Sequence, residues 1–184
     1  MKFAIYGAGA IGGLVGSRLI VSGEEVTLIA RGPHLEAMRK RGLAVRSQVF
    51  GDYECRPRTT DDPESVGPVD FLILAVKAHS LAGIASKLTP LLGEETAIIS
   101  AQNGIPWWYC DGLEQSWAND PLDSVDPGGV IASHIDRRRV IGSITYAASA
   151  VTSPGVVEHI EGGRCLLGEP DGSRSERVRR LANA

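Results

Sequence analysis

Three glycines at Gly7, Gly9 and Gly12, set directly behind the apolar run Lys2-Phe3-Ala4-Ile5-Tyr6, constrain this chain more than any other feature. A short run with β-branched and aromatic members reads as a buried parallel strand. The residues from Gly13 to Val21 read as a helix, so the glycines occupy a strand-to-helix turn. Each has its own task. Gly7 allows the tight turn, Gly9 lets a diphosphate approach the backbone, and Gly12 lets the helix lie close on the strand. The helix N-terminus then offers free N–H groups and the positive end of its dipole. The turn as a whole (Gly7, Ala8, Gly9, Ala10, Ile11, Gly12) is therefore a candidate dinucleotide site. The plainer alternative is a tight turn with no ligand.

After a stop signal at Ser22-Gly23, the segment Glu25 to Ala30 reads as a second strand, completing one βαβ unit with a right-handed crossover. The residue closing that strand selects the cofactor. An Asp or Glu there accepts hydrogen bonds from the ribose 2′-hydroxyl of NAD, whereas a cation meets the 2′-phosphate of NADP. This chain has Ala30-Arg31-Gly32, with no carboxylate before Glu36. A guanidinium matches phosphate geometry and stays charged, so the expected cofactor is NADP(H). The alternative for Arg31 is an exposed loop cation.

Leu35 to Arg41 reads as a helix ended by Gly42, and Leu43 to Val49 with Tyr53 to Thr59 as a hairpin across Gly51-Asp52. Val69 to Val76 is the next buried strand, leading into Lys77. Ser80 is placed to cap a helix from Leu81 to Leu92, stopped at Gly93. Thr96 to Ser100 is another strand, closing in Ala101-Gln102-Asn103-Gly104. Ligands of open parallel sheets sit beyond the carboxyl ends of the strands. Gly7 to Gly12, Arg31, Lys77 and Asn103 should therefore face one crevice, unless Lys77 is a surface lysine and Asn103-Gly104 merely a turn.

The segment from Ile105 to Arg139 has little periodicity, and its length implies structure that the pattern does not show. Trp107-Trp108-Tyr109 could shape a substrate mouth, make a subunit contact or simply pack a loop; Asp120-Pro121 and Asp126 to Gly129 are turn punctuation. From Val140 the chain turns β-rich. Val140 to Ala148, Gly155 to Ile160 and Arg164 to Gly168 read as antiparallel additions at the sheet edge, with a turn at Ser153-Pro154. Ser173 or Ser175 caps a final helix from Glu176. The fold class is α/β: a Rossmann-type doubly wound parallel sheet with antiparallel strands added near the C-terminal end.

A net charge of −3 gives no reason to expect nucleic acid, and the basic runs Arg137 to Arg139 and Arg177 to Arg180 read as solvated surface. No apolar stretch approaches the roughly 20 residues of a membrane span, and the residues after Met1 lack the pattern of a signal peptide. Cys55, Cys110 and Cys165 are few, odd in number and never arranged as C-x-x-C, which fits reduced thiols in a cytoplasmic setting. The scattered His34, His79, His134 and His159 suggest no metal site.

Read together, these residues resemble the ketopantoate reductase (2-dehydropantoate 2-reductase) family. The resemblance rests on G-A-G-A-I-G at Gly7 to Gly12, A-R at Ala30-Arg31, V-K at Val76-Lys77, Q-N-G at Gln102 to Gly104, G-S-I-T-Y-A-A at Gly142 to Ala148, P-G-V-V-E-H at Pro154 to His159 and L-G-E at Leu167 to Glu169. It implies NADPH-dependent reduction of 2-dehydropantoate, a small 2-oxo acid, to pantoate in pantothenate biosynthesis. It also implies that Gly7 to Gly12 wrap the diphosphate and Arg31 holds the 2′-phosphate. Lys77 and Asn103 would line the cofactor and its ribose, Asn103 would also touch substrate, and Ala148 would present backbone to the nicotinamide. The proton-donating lysine of the family belongs to a helical C-terminal domain. On this reading residues 1–170 form the dinucleotide-binding domain, and 171–184 begin a helix leading to a C-terminal domain absent from this chain. The chain by itself is then expected to be inactive, with no catalytic residue of its own. Reduction of another 2-oxo acid or an imine, and a non-catalytic NADPH-sensing module, stay open, as does a homodimer.

Overall fold

The computed structural model describes residues 1–110 and 122–184. Its elements in chain order are β1 (Lys2–Tyr6), α1 (Ala10–Val21), β2 (Glu25–Ile29), α2 (Gly32–Arg41), β3 (Leu43–Ser47), β4 (Tyr53–Cys55), β5 (Arg58–Thr60), β6 (Val69–Leu74), β7 (Leu92–Ser100), α3 (Val130–His134), β8 (Val140–Ser153), β9 (Val156–Gly168) and α4 (Glu176–Ala182). The strands form one nine-stranded sheet in the order β4-β3-β9-β8-β7-β6-β1-β2-β5. Its centre is parallel, from β8 through β7, β6 and β1 to β2. There Phe3, Ala4, Ile5, Leu72 and Ile98 are wholly buried, as strands covered on both faces must be. The rings of Phe3 and Phe71 stack across β1 and β6 with centroids 5.2 Å apart.

β4 and β5 lie at opposite ends of the strand order, yet only Arg56 and Pro57 separate them in the chain. Such a link spans at most about 11 Å, so the two edges approach each other and the sheet curls. The curl encloses α1, which packs against β1, β2, β3, β4, β8 and β9. A helix surrounded in this way needs no broad polar face, and Ser17 and Arg18 are the only polar side chains in AIGGLVGSRLIV. Ser17 is buried but satisfied: its Oγ donates to the Leu14 carbonyl at 2.8 Å and lies 2.9 Å from the Tyr53 hydroxyl.

Close approach on several sides explains why α1 carries more glycine than a phosphate turn needs. A Cβ on Gly13 would lie 3.1 Å from Val157 Cγ2, and one on Gly16 would lie 2.5 Å from Leu28 Cδ2. Glycine to alanine in an open helix gains about 1 kcal/mol. Overpacking a full core costs about 1–3 kcal/mol. Gly16→Ala is therefore expected to lose about 1 kcal/mol net, seen as a lower urea midpoint at unchanged m-value.

Several elements differ from the sequence reading. The segment from Leu81 to Leu92 is not an α-helix but a run of 3₁₀ turns ending in Ala85–Leu91, and Ser80 caps nothing. Pro90 lacks the N–H that an α-helical ladder requires, and Gly83 weakens the segment further. The apolar residues keep their core positions all the same: Leu81, Ala85, Leu88 and Leu91 are buried. Gly93 belongs to β7, which starts at Leu92 rather than Thr96. The expected hairpin is half right. β3 and β4 pair antiparallel, but Arg58 to Thr60 leaves to join β2 in parallel at the far edge. The β-rich end forms two long strands rather than three segments. β8 and β9 pair antiparallel, yet β8 joins β7 in parallel, and β9 is inserted beside β3 rather than left as an edge. Helix α2 begins earlier than expected because Pro33 suits a first turn. Between Ile105 and Arg139 the described residues include the short α3, and Asp120-Pro121 lies outside them.

The basic runs are not merely solvated. Arg139 donates to the carbonyls of Gly93, Glu94 and Thr96 at 2.7–3.2 Å, tying the entry of β8 to β7. Arg177 grips Glu169 through Nε and Nη2 at 2.7 and 2.5 Å, and Ser175, which caps α4, donates to the same carboxylate. The Arg177 guanidinium holds the Glu169 carboxyl below its ordinary range, against a smaller opposing effect of burial. A carboxyl with a depressed folded pKa contributes stability above its ordinary value of 4.5, and that stability is lost as the pH falls through the folded value. Charge-assisted bonds of this kind contribute about 2 kcal/mol. Glu169→Gln is thus expected to lower the urea midpoint at pH 7 and to flatten the acid limb of stability below about pH 4.5.

Candidate functional site

The glycine turn begins where β1 ends. The N–H groups of Gly7 and Ala8 both donate to the Ile29 carbonyl at 3.0 Å, and the Gly9 N–H donates to the Gly7 carbonyl at 2.8 Å. Gly7 has φ +97°, and a Cβ on it would lie 2.7 Å from Val76 Cγ1. A Cβ on Gly12 would lie 2.3 Å from the Gly7 carbonyl oxygen. Chain packing alone forces glycine at both positions. Gly9 is different: it has a negative φ of −82°, is exposed, and a Cβ on it would meet nothing within 4 Å. Nothing in the folded chain requires glycine there, whereas a ligand lying against the backbone would.

Behind Gly9, the first N–H groups of α1 have no intrahelical acceptor. No side chain caps the helix, and its first turn carries no carboxylate. Donors, the positive end of the dipole and open space above Gly9 together fit an anionic ligand such as a diphosphate.

The neighbouring strands end on the same edge. The N–H of Ala75 donates to the Tyr6 carbonyl, that of Ala101 to the Leu74 carbonyl and that of Ala30 to the Thr60 carbonyl, so the chain leaves β1, β2, β6 and β7 side by side. Arg31 follows β2 as the N-cap of α2, exposed. Its charge reaches the Tyr6 phenol: burial pushes that pKa up, and Arg31 opposes the rise. Lys77 precedes a 3₁₀ turn at Ala78–Ser80 and is exposed. Asn103 is exposed too, and Gly104 behind it takes φ +103°. Gly7 to Gly12, Arg31, Lys77 and Asn103 thus share one edge. Ala148 lies further out: it is half-buried on β8 opposite Glu161, six residues past Gly142, where the parallel pairing of β8 with β7 ends and β8 runs on beyond the edge.

Two residues to which sequence reasoning assigned no role at the site bond across its loops. Gln102 Nε2 donates to the Val76 carbonyl at 2.9 Å, tying the loop that carries Asn103 to the loop that carries Lys77. His34, on the first turn of α2, accepts the Gly155 N–H on Nδ1 at 3.0 Å. A glutamine beside Asn103 and a histidine just after Arg31 carry no periodic signal, because both bond to backbone far away in sequence. Ser143 Oγ also donates to the Ser100 carbonyl at 3.0 Å where β8 leaves the edge. Trp107 is buried in the core, the Trp108 ring lies over Gly142 and bounds a cavity, and Tyr109 is exposed. Two cavities lie away from the glycine turn. One of about 480 Å³ is bounded by Asp136 to Arg138, Glu169 and Arg177, and one of about 360 Å³ by Trp108, Gly142, Ile144 and Leu166.

Among the described residues no group of three or more His, Cys, Asp or Glu side chains could hold a metal ion, and no helix is long and apolar enough to cross a membrane.

Comparison with known proteins agrees with this geometry. The chain is 44% identical over 184 residues to a 2-dehydropantoate 2-reductase of Mesorhizobium japonicum, covering 99% of this chain and 56% of that protein. A crystal structure from Ralstonia solanacearum, assigned to the ketopantoate reductases, superposes with a TM-score of 0.92 at 38% identity over 98% of this chain and 56% of that one. The fold is shared with D-mandelate dehydrogenase, solved with NADH and anilino(oxo)acetate, at a TM-score of 0.78 and 23% identity over 100% of this chain and 53% of that one. The chain spans about half the length of the curated relatives it matches. These relatives are oxidoreductases acting on a CH–OH group, and with this sheet they imply a nicotinamide cofactor. Residues 3–107 match the family described as Ketopantoate reductase PanE/ApbA, and this chain belongs to that family.

Proposed function

We propose that residues 1–170 are the NADPH-binding domain of an enzyme that reduces 2-dehydropantoate to pantoate. The observation that carries this reading is Gly9, whose missing side chain leaves open space beside an uncapped helix N-terminus. The first turn of α1 holds the diphosphate through backbone N–H groups, and Arg31 meets the 2′-phosphate as a bidentate donor. Lys77 and Asn103 line the ribose and nicotinamide half, and Asn103 also reaches the substrate. Gln102 keeps their two loops in register through Val76. Ala148 presents backbone on the nicotinamide side. When bound, the cofactor supplies hydride to the ketone carbon of the 2-oxo acid.

The alkoxide left by that transfer needs a proton or a fixed positive charge. On this reading the group that meets it belongs to the further length of polypeptide that the relatives carry, entered through the helix that begins within 171–184. The 184-residue chain therefore binds cofactor without turnover. Calorimetric titration tests the binding: NADPH should bind, NADH should bind more weakly, and heat with neither nucleotide refutes the assignment. An absorbance assay with 2-dehydropantoate and NADPH tests the rest, and oxidation of NADPH by this chain alone would refute the division of labour.

A further inference from the structure

We infer that Gln102 and Ser143 are positioning residues for the nicotinamide half of the cofactor, joined in one chain of hydrogen bonds that sets Asn103 at the edge of the sheet. The inference rests on the cofactor reading above. The chain begins on β8, where Ser143 Oγ donates to the Ser100 carbonyl at 3.0 Å. Ser100 Oγ donates to Gln102 Oε1 at 3.5 Å, and Gln102 Nε2 donates to the Val76 carbonyl at 2.9 Å. A carbonyl can only accept, so the amide nitrogen must face Val76, which turns Oε1 towards the Ser100 hydroxyl. The bonds thus link β8, the end of β7 and the loop after β6 in series.

The geometry also shows what this chain replaces. β6 and β7 pair in parallel as far as the bond from the Ala101 N–H to the Leu74 carbonyl. On one strand of a parallel ladder the donors recur at every second residue, so the next bond would run from the Asn103 N–H to the Val76 carbonyl. The Gln102 side chain takes that acceptor instead. Asn103 is thereby released from the ladder and stands exposed at the edge, where the chain turns through Gly104 at φ +103°. Val76 is a fixed anchor for this bond. A Cβ on Gly7 would lie 2.8 Å from the Val76 backbone nitrogen, so the two backbones are packed hard together, and Gly7 and Ala8 are held from the other side by the Ile29 carbonyl. Removing the Gln102 amide therefore leaves the diphosphate turn in place and loosens the loop that carries Asn103. Ser100 is buried, so the loss of Ser143 or Gln102 leaves one of its polar groups short of a partner.

The test is calorimetric titration of NADPH and of 2′-phospho-ADP-ribose, the same nucleotide without its nicotinamide, into the 184-residue protein and its Gln102→Leu, Gln102→Glu and Ser143→Ala variants. Leucine removes both amide bonds at similar size, whereas glutamate keeps an acceptor for Ser100 but loses the donor to Val76. Both Gln102 variants are expected to raise the Kd for NADPH about tenfold and to leave that for 2′-phospho-ADP-ribose unchanged. Ser143→Ala should raise the NADPH value about threefold with the same selectivity. Because the bonds act in series, Ser143→Ala combined with Gln102→Leu should bind no more weakly than Gln102→Leu alone, and full additivity would overturn the link to Ser143. Unchanged NADPH affinity in both Gln102 variants overturns the inference, as does a loss shared equally by the two ligands, which a merely structural role would give. Wild-type protein that binds the two ligands equally well overturns it too, while leaving the diphosphate assignment intact. Failure of the wild-type protein to bind either ligand overturns the cofactor reading and this inference with it.

Discussion

Gly9→Ala is expected to fold normally and to lose its nucleotide. The added methyl meets nothing within 4 Å, and φ at this residue is already negative. Alanine is a poorer N-cap than glycine, but it also lowers the entropy of the unfolded chain, so the net change in stability stays within about 1 kcal/mol. The same methyl occupies the space a diphosphate needs to reach the N–H groups of α1. Losing two charge-assisted bonds of about 1.5–3 kcal/mol each weakens binding by about 100-fold or more. Gly12→Ala is the control. Its methyl would lie 2.3 Å from a backbone oxygen, which cannot swing aside as a side-chain terminus can, so this variant should lose stability as well as binding. Thermal unfolding and calorimetry on the two proteins separate the outcomes. Wild-type affinity in Gly9→Ala would show that the space serves no ligand.

Arg31→Ala is expected to lower affinity for NADPH by about 10- to 100-fold and to leave NADH unchanged, as removing a bidentate guanidinium–phosphate contact should. The side chain is exposed and caps α2 with its backbone rather than its side chain, so stability should hardly move. A spectroscopic sign accompanies the change. Arg31 opposes the burial that raises the Tyr6 phenol, so its removal should move the Tyr6 titration further up. A variant with an unchanged NADPH-to-NADH ratio would place the 2′-phosphate elsewhere, whatever becomes of Tyr6.

Legibility in the sequence followed the range of the forces. β1, the glycine turn, α1 and β2 could be read because a strand, a tight turn and a buried helix each leave a local pattern. The edge that gathers Gly7, Arg31, Lys77 and Asn103 could be read because parallel topology sends every strand end the same way. The segment from Leu81 to Leu91 misled because its apolar spacing suits a helix while Pro90 and Gly83 forbid one. β3 and β9 pair across more than a hundred residues, and nothing in Leu43 to Ser47 specifies Val156 to His159 as its partner. Separation along the chain also hid the roles of His34 and Gln102, whose partners are backbone atoms 121 and 26 residues away.

The enclosure of α1 also bears on how the chain acquires its shape. A nascent chain that has made β1, α1 and β2 still lacks β8 and β9, so the glycine-rich helix stays partly open to water until residues 140–168 arrive. Ordering that depends on such distant pairing is slow, because loop closure precedes its reward. Competence to take up nucleotide should therefore emerge late in refolding, after most backbone structure has formed. A fragment ending near Trp107, where the family match stops, should remain an unstable intermediate rather than a smaller binding module.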